Sequence, residues 1–215
     1  MAQTITKRKK SIPPLENGDR LTRLEFEIRY EKMPRLKKAE LIEGVVYMGS
    51  PLRIDRHGNP HIHVATWLGI YEAATPGVQT GDNCTVRLDA DNEPQPDVLL
   101  RKKEGGQSTI SEDGYVEGAP ELIVEIAAST VSIDLHDKQR VYRRNQVQEY
   151  LVWRVDDREL DWFRLKEGKY IKSKPDEKGI IRSEVYPGLW LDTNALLAGN
   201  LAKVLEGLQQ GIASQ

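Results

Sequence analysis

Glu125 stands inside the most apolar run of the chain, Leu122-Ile123-Val124-Glu125-Ile126-Ala127. An ionised carboxylate in a buried strand costs on the order of several kcal/mol even after relaxation. An arginine or lysine partner, a raised pKa or a bound cation must offset that cost. Strand alternation puts Glu121, Ile123 and Glu125 on one face and Leu122, Val124 and Ile126 on the other, which directs Glu125 into a cleft beside the sheet. Asp97 follows Pro96 and heads a second apolar strand, Val98-Leu99-Leu100. Alone it reads as a turn residue. Paired with Glu125 on a neighbouring strand, it supplies two hard oxygen ligands suited to Mg²⁺ or Mn²⁺.

Asp134 and Lys138 are four apart and share a helix face. An exposed pair at this spacing is worth only a few tenths of a kcal/mol. What singles out Lys138 is that its helix starts a few residues after the Glu125 strand. A helix launched there folds back over the sheet and aims the ammonium at the carboxylates.

The elements that must hold these groups follow from periodicity and punctuation. Residues 1–19 are polar, carry Pro13, Pro14 and Gly18, and read as a flexible arm in which Lys7, Arg8, Lys9 and Lys10 are a solvated charge run. A single domain is expected over 20–210. Helices are expected over 20–32, 62–74, 133–144 and 193–209, the last capped by Asp192 or Thr193. Strands are expected over 41–48 with a turn at Gly44, and over 84–88, 97–100, 121–127 and 150–155. A hairpin is expected across Lys166-Glu167-Gly168. Residues 102–118 read as a polar loop. This order predicts an α/β chain with a central mixed β-sheet flanked by helices and an additional C-terminal hairpin and helix.

Composition bounds the function. The chain has 215 residues, 39% hydrophobic and 30% charged, with a formal net charge of −2. This is a globular balance, and nothing global demands a polyanionic partner; a nucleic-acid enzyme would need a local basic surface. Cys84 is the single cysteine, so no internal disulfide forms and a reducing, cytoplasmic setting is expected. No signal peptide is evident, and no window approaches the roughly 18 apolar residues of a membrane span.

Taken together, Pro96-Asp97, Pro120-Glu121-Leu122-Ile123-Val124-Glu125-Ile126, Asp134-x-x-x-Lys138, Tyr142 and Val147-Gln148-Glu149-Tyr150-Leu151-Val152 resemble the Uma2 (DUF820-type) family of PD-(D/E)XK endonuclease-like proteins. The earlier Glu40-Leu41-Ile42-Glu43-Gly44 is similar to that family's strand-and-glycine opening, and His61 to a histidine before its second helix. The resemblance spans roughly 20–195. It implies a restriction-endonuclease-like fold, with Asp97 and Glu125 as ligands to Mg²⁺ (or Mn²⁺) and the backbone carbonyl of Ile126 as a third. The superfamily lysine two residues after the Glu is here Ala127, and Lys138 is the matching donor from the following helix. The implied chemistry is hydrolysis of DNA phosphodiesters, with Lys138 orienting the attacking water or stabilising the developing charge. Glu43, in preference to Glu40, completes the shell. His61, Arg101 and Lys102 are expected as substrate contacts, and a homodimer through Trp153, Trp162 and the C-terminal helix is expected.

Other signals carry less. His57, His61 and His63 invite a zinc reading, which the loop-to-helix context and the single thiol argue against. Asp89, Asp91 and Glu93 start like a calcium loop, but Pro94 and Leu100 break its pattern. Two other functions stand beside the nuclease: a catalytically silent module binding nucleic acid or protein, and a structural protein whose Glu125 is neutralised by Arg140 or Arg143.

Overall fold

A computed structural model describes residues 12–49 and 51–215; the Lys7–Lys10 run lies outside the described residues. Helix α1 (Arg23–Tyr30) is followed by a hairpin of β1 (Ala39–Ile42) and β2 (Val45–Met48). Its two turn residues, Glu43 and Gly44, have φ of 52° and 71°, the positive values that match a two-residue turn to the strand twist. A π-helical turn (Ile54–Gly58) runs straight into α2 (Asn59–Ala74), so this helix begins before the expected 62. Then come β3 (Val78–Asp82), β4 (Val86–Arg87), β5 (Val98–Lys102), β6 (Thr109–Ile110), β7 (Val116–Glu117) and β8 (Leu122–Ala127). A second π-helical turn (Ile133–Lys138) continues as α3 (Gln139–Arg144). The chain closes with β9 (Glu149–Arg154), β10 (Glu159–Lys166), β11 (Lys169–Lys172), β12 (Ile180–Arg182), β13 (Trp190–Asp192), α4 (Thr193–Leu197) and α5 (Leu201–Ile212).

The main sheet has six strands in the order β11-β10-β9-β8-β5-β3. Only β8 and β9 are parallel; the other neighbours run antiparallel. The mixed sheet flanked by helices is therefore the architecture observed. All six residues of β8 are buried, as expected of a strand covered on both faces. One face packs Leu122, Val124 and Ile126 with Trp67, Leu68 and Tyr71 of α2 and with the C-terminal helices. The other packs Leu99, Ile123 and Ala127 with Tyr142, Val147 and Tyr150. Each fully buried aliphatic side chain contributes about 1.5–3 kcal/mol, so the centre of the sheet is a rigid platform.

The β1-β2 hairpin is a separate two-stranded unit with its own apolar cluster of Leu15, Phe26, Ala39, Leu41 and Val46. Leu15 is buried, and Gly18 N–H donates to Val46 O at 2.8 Å. The inner half of the expected arm thus packs as part of the domain. Five strands escaped the sequence reading: edge strand β3, whose Val-Gln-Thr-Gly-Asp has no apolar alternation, the two-residue β6 and β7 inside the expected polar loop, and the separate β12–β13 pair. The expected C-terminal helix is broken at Gly199, with φ of 70°, into α4 and α5. Asp192 accepts from Ala195 N–H at the start of α4.

Candidate active site

Asp97 immediately precedes β5. The β5–β8 register pairs Val98 with Val124; continued by one residue, it sets Asp97 opposite Glu125. Alternation puts both on the face of Leu99 and Ile123. The Asp97 carboxylate is fixed by the strand edge, since Oδ2 accepts the Ile126 N–H at 2.7 Å. The carbonyl of a strand residue points to the same edge as its N–H, so the Ile126 carbonyl also faces the β5 side. Oδ1 of Asp97 is held more loosely, with Lys38 Nζ at 3.3 Å and His57 Nε2 at 3.5 Å.

Glu125 Oε1 accepts hydrogen bonds from Lys138 Nζ at 2.9 Å and Tyr142 Oη at 2.8 Å. The same ammonium lies 2.9 Å from Glu40 Oε1 and 3.7 Å from Asp134 Oδ1. The β8–β9 crossover explains how: its helix packs back over the sheet, and the wide π turn sets Asp134 and Lys138 on the inner side, both buried. Thr130 Oγ1 donates to Asp134 Oδ2 at 2.6 Å, and Tyr150 Oη to the Asp134 carbonyl at 3.0 Å, locking that turn onto β9.

Electrostatics follow from burial and charge count. Burial pushes the Glu125 pKa up, and Asp134, Asp97 and Glu40 push the same way, against the pull of Lys138. Burial disfavours the Lys138 ammonium, yet Glu125, Glu40 and Asp134 outweigh it and hold this lysine well above its ordinary value. Lys138 is therefore held as an ammonium that donates hydrogen bonds to these carboxylates. Burial and the neighbouring carboxylates push Tyr142 well above the ordinary phenol value, so its hydroxyl donates to Glu125. Four carboxylates (Glu40, Asp97, Glu125, Asp134) meet two ammonium groups (Lys38, Lys138) in the site. Acids thus outnumber ammonium groups by two, an excess that is relieved by raised Glu125 and Asp134 pKa values and that a bound divalent cation would offset. Both hydrogen bonds to Glu125 end on Oε1, leaving Oε2, and Asp97 Oδ1 has no contact closer than 3.3 Å among the described residues. This oxygen set fits a hard divalent ion.

A family model described as "Putative restriction endonuclease", Uma2, matches residues 25–194. The chain belongs to the Uma2 family. Among solved structures, the Uma2 chain is similar to one described as a putative nuclease belonging to DUF820 from Anabaena variabilis ATCC 29413. The TM-score is 0.62 at 14% identity, covering 80% of this chain and 97% of that one. At that identity the likeness shows a shared nuclease-like fold. No curated protein matches the chain.

Several expected site residues of this Uma2 chain sit elsewhere. Glu43 occupies the turn of the β1-β2 hairpin and pairs with Arg144 at 3.0 Å; Glu40 enters the site in its place. The physical reason is strand alternation: Ala39 and Leu41 pack into the hairpin's own cluster, so Glu40 faces the other way, where Gln95 N–H also donates to it at 2.7 Å. Arg101 is only 5% exposed and is consumed by Ser108 and Gln79. Arg101 and Lys102 both lie at the far end of β5 from Asp97 and do not reach the cluster. His61 lies beside the cluster, its Nε2 2.5 Å from Asp82 Oδ1. Trp153 and Trp162, expected at a dimer contact, are buried within the chain's own core. Arg140 pairs with Asp137, so the partner of Glu125 is Lys138. Sequence reasoning missed Lys38, and it set His57 aside with the zinc reading of the histidine group. Glu40 was findable by the argument used for Glu125, an acid inside a short apolar strand.

Proposed function

We propose that this chain is a divalent-cation-dependent DNA endonuclease in which Asp97, Glu125 and the Ile126 carbonyl hold the ion and Lys138 serves the attacking water. The carrying observation is the placement of the Lys138 ammonium 2.9 Å from both Glu125 and Glu40, beside the strand headed by Asp97. A Mg²⁺ or Mn²⁺ ion held there supplies charge neutralisation on a phosphodiester and acidifies water. Lys138 stays protonated and donates, orienting the nucleophile or compensating charge that develops on phosphate oxygens. Glu40 and Glu125 fix that ammonium, and Tyr142 fixes Glu125. Asp97 is oriented by the backbone of Ile126, and a ligand at its Oδ1 would displace only the loose contacts from Lys38 and His57.

A DNA substrate is supported by the rim. Lys32, Arg35 and Lys37 are exposed on the segment leading to Lys38 and Glu40, a local basic run of the kind that binds phosphates although net charge is −2. No described helix is long and apolar enough to cross a membrane, and the free thiol of Cys84 suits a reducing cytoplasm.

A second reading, a silent nuclease-fold module that binds nucleic acid, draws on Ala127 at the usual lysine position and on the full engagement of Lys138 by carboxylates. Supercoiled-plasmid nicking with Mg²⁺ or Mn²⁺ separates the two. The enzyme reading requires nicking that Asp97→Ala, Glu125→Ala and Lys138→Ala each abolish. Salt-dependent DNA binding without nicking by the unaltered chain would replace it with the second.

A further inference from the structure

We infer that His57, His61 and Asp97 form a second, nitrogen-containing cation position, which takes a transition-metal divalent ion in preference to Mg²⁺. It rests on and deepens the nuclease reading by sharing Asp97 with the proposed Asp97–Glu125 position, but it is read out through two residues of its own, His57 and His61. One ring nitrogen of each histidine and one carboxylate oxygen of Asp97 lie within 4.8 Å of one another. Such a triangle closes around a single ion with small side-chain movements.

Three elements converge to build it. His61 lies in the first turns of α2, and His57 lies on the π-helical turn that precedes it, four residues earlier and on the same side. Asp97 arrives from the head of β5. All three are sheltered: the side chains of His57, His61 and Asp97 are 12%, 14% and 5% exposed. The third member of the expected histidine group, His63, does not join them. His63 is buried, and its Nε2 is 3.5 Å from Asn59.

A second observation points to a ligand. The Asp82 carboxylate meets His61 Nε2 at 2.5 Å. A carboxylate on one ring nitrogen fixes the tautomer and leaves the lone pair on the other, the arrangement that orients metal-binding imidazoles. Lys38 Nζ, 3.3 Å from Asp97 Oδ1, already places a positive charge against the shared oxygen. It can swing toward Asn83, 3.5 Å away. The donor set decides the ion class: two imidazoles with one carboxylate suit Zn²⁺, Co²⁺ or Mn²⁺, whereas Mg²⁺ favours oxygens and retains water.

The chain has four histidines, so long-range ¹H–¹⁵N spectra can follow each imidazole. Titration of the full chain with Zn²⁺ should shift His57 and His61 and leave His63 and His136 in place. Calorimetric affinity for Co²⁺ should fall by more than about tenfold in His57→Ala and in His61→Ala, and by about tenfold in Asp82→Asn. Lys38→Met should tighten it by about tenfold. His57→Gln and His61→Gln, checked by circular dichroism, serve where an alanine variant fails to fold. Unshifted His57 and His61 resonances, or Co²⁺ affinity within twofold of the unaltered chain in the double His57→Gln/His61→Gln variant, overturns the inference. Plasmid nicking, in Mg²⁺ and in Mn²⁺, is scored separately. Nicking with silent imidazoles removes only this position, while shifted imidazoles without nicking uphold it and remove the nuclease reading.

Discussion

The ammonium of Lys138 sits 2.9 Å from the carboxylate of Glu125, on the first helical segment after Glu125's own strand, and both side chains are buried. Thirteen residues of chain separate them, and that short crossover makes the pair. The arrangement binds charge to fold, and its energetic consequences can be measured.

Removing only the cation leaves the buried Glu125 and the half-buried Glu40 without their shared ammonium partner. Lys138→Met should therefore destabilise the chain by about 3–5 kcal/mol in urea denaturation. Adding Glu125→Gln to Lys138→Met should recover a substantial part of that loss. If the double variant is no more stable than Lys138→Met alone, the pair is not the source of the effect.

Glu149 gives a pH signature remote from the site. Burial pushes it up to about 7, against the hydrogen bond from Ser183. In an unfolded chain the group titrates near its ordinary 4.5. The folded state therefore holds the extra proton between these values, and stability falls as pH rises through that window. Glu149→Gln keeps an acceptor for the Glu184 N–H, 2.8 Å away, and removes the titration. Relative to the unaltered chain, this variant should gain on the order of 1–3 kcal/mol between pH 4.5 and pH 8. A stability difference that does not vary with pH would refute the assignment.

Arg101 and Lys37 should behave in opposite ways. Arg101→Ala strips partners from Ser108 and Gln79 and should cost about 1–3 kcal/mol of stability, with the salt dependence of DNA binding unchanged. Lys37→Ala should leave the melting temperature nearly unaltered and lower the salt slope by about one. Fluorescence anisotropy on a labelled duplex across a salt series, beside thermal melts, reads both. A slope change in Arg101→Ala at unaltered stability would restore that arginine as a phosphate contact.

Gly211 tests the packing of α5. A Cβ there would lie 2.3 Å from Gly188 O and 2.7 Å from Trp190 Cγ, closer than side chains approach. Gly211→Ala should cost about 1–3 kcal/mol through displacement of the helix. Gly69→Ala, whose added Cβ meets nothing within 4 Å, is the control in a helix and should be neutral or stabilising. Equal melting temperatures for the two variants would contradict the close approach.

The central features were legible because they obey simple periodicities. An acid at 125 inside an apolar strand, an acid at 97 before another, and a lysine on the helix after the first required only alternation and the direction of a crossover. What stayed hidden depended on contacts between distant segments. Glu40 and Glu43 carry the same charge near the same strand, and only the pleat of a hairpin packed on its own cluster separates them. Lys38 precedes β1 and reaches Asp97 across 59 residues of chain, which no local pattern announces. His57 reads as a loop residue because a π turn has no strong sequence signature. Arg101 reads as a surface base at a strand end, yet Ser108, in the connection between β5 and β6, and Gln79 of β3 take up its guanidinium. Edge strand β3 was missed for a related reason: it is held by backbone pairing to β5 and has little apolar pattern of its own.

The hairpin that delivers Glu40 belongs to a different sheet and a different apolar cluster from the strands that deliver Asp97 and Glu125. The cluster of charges is thus a clasp between two structural units. Whatever grips both halves at once also joins them, so occupancy should be felt as slowed amide exchange in the hairpin, far from any ligand atom. Conversely, a chain whose hairpin has momentarily swung free retains its two strand acids but loses one of the carboxylates that restrain the ammonium.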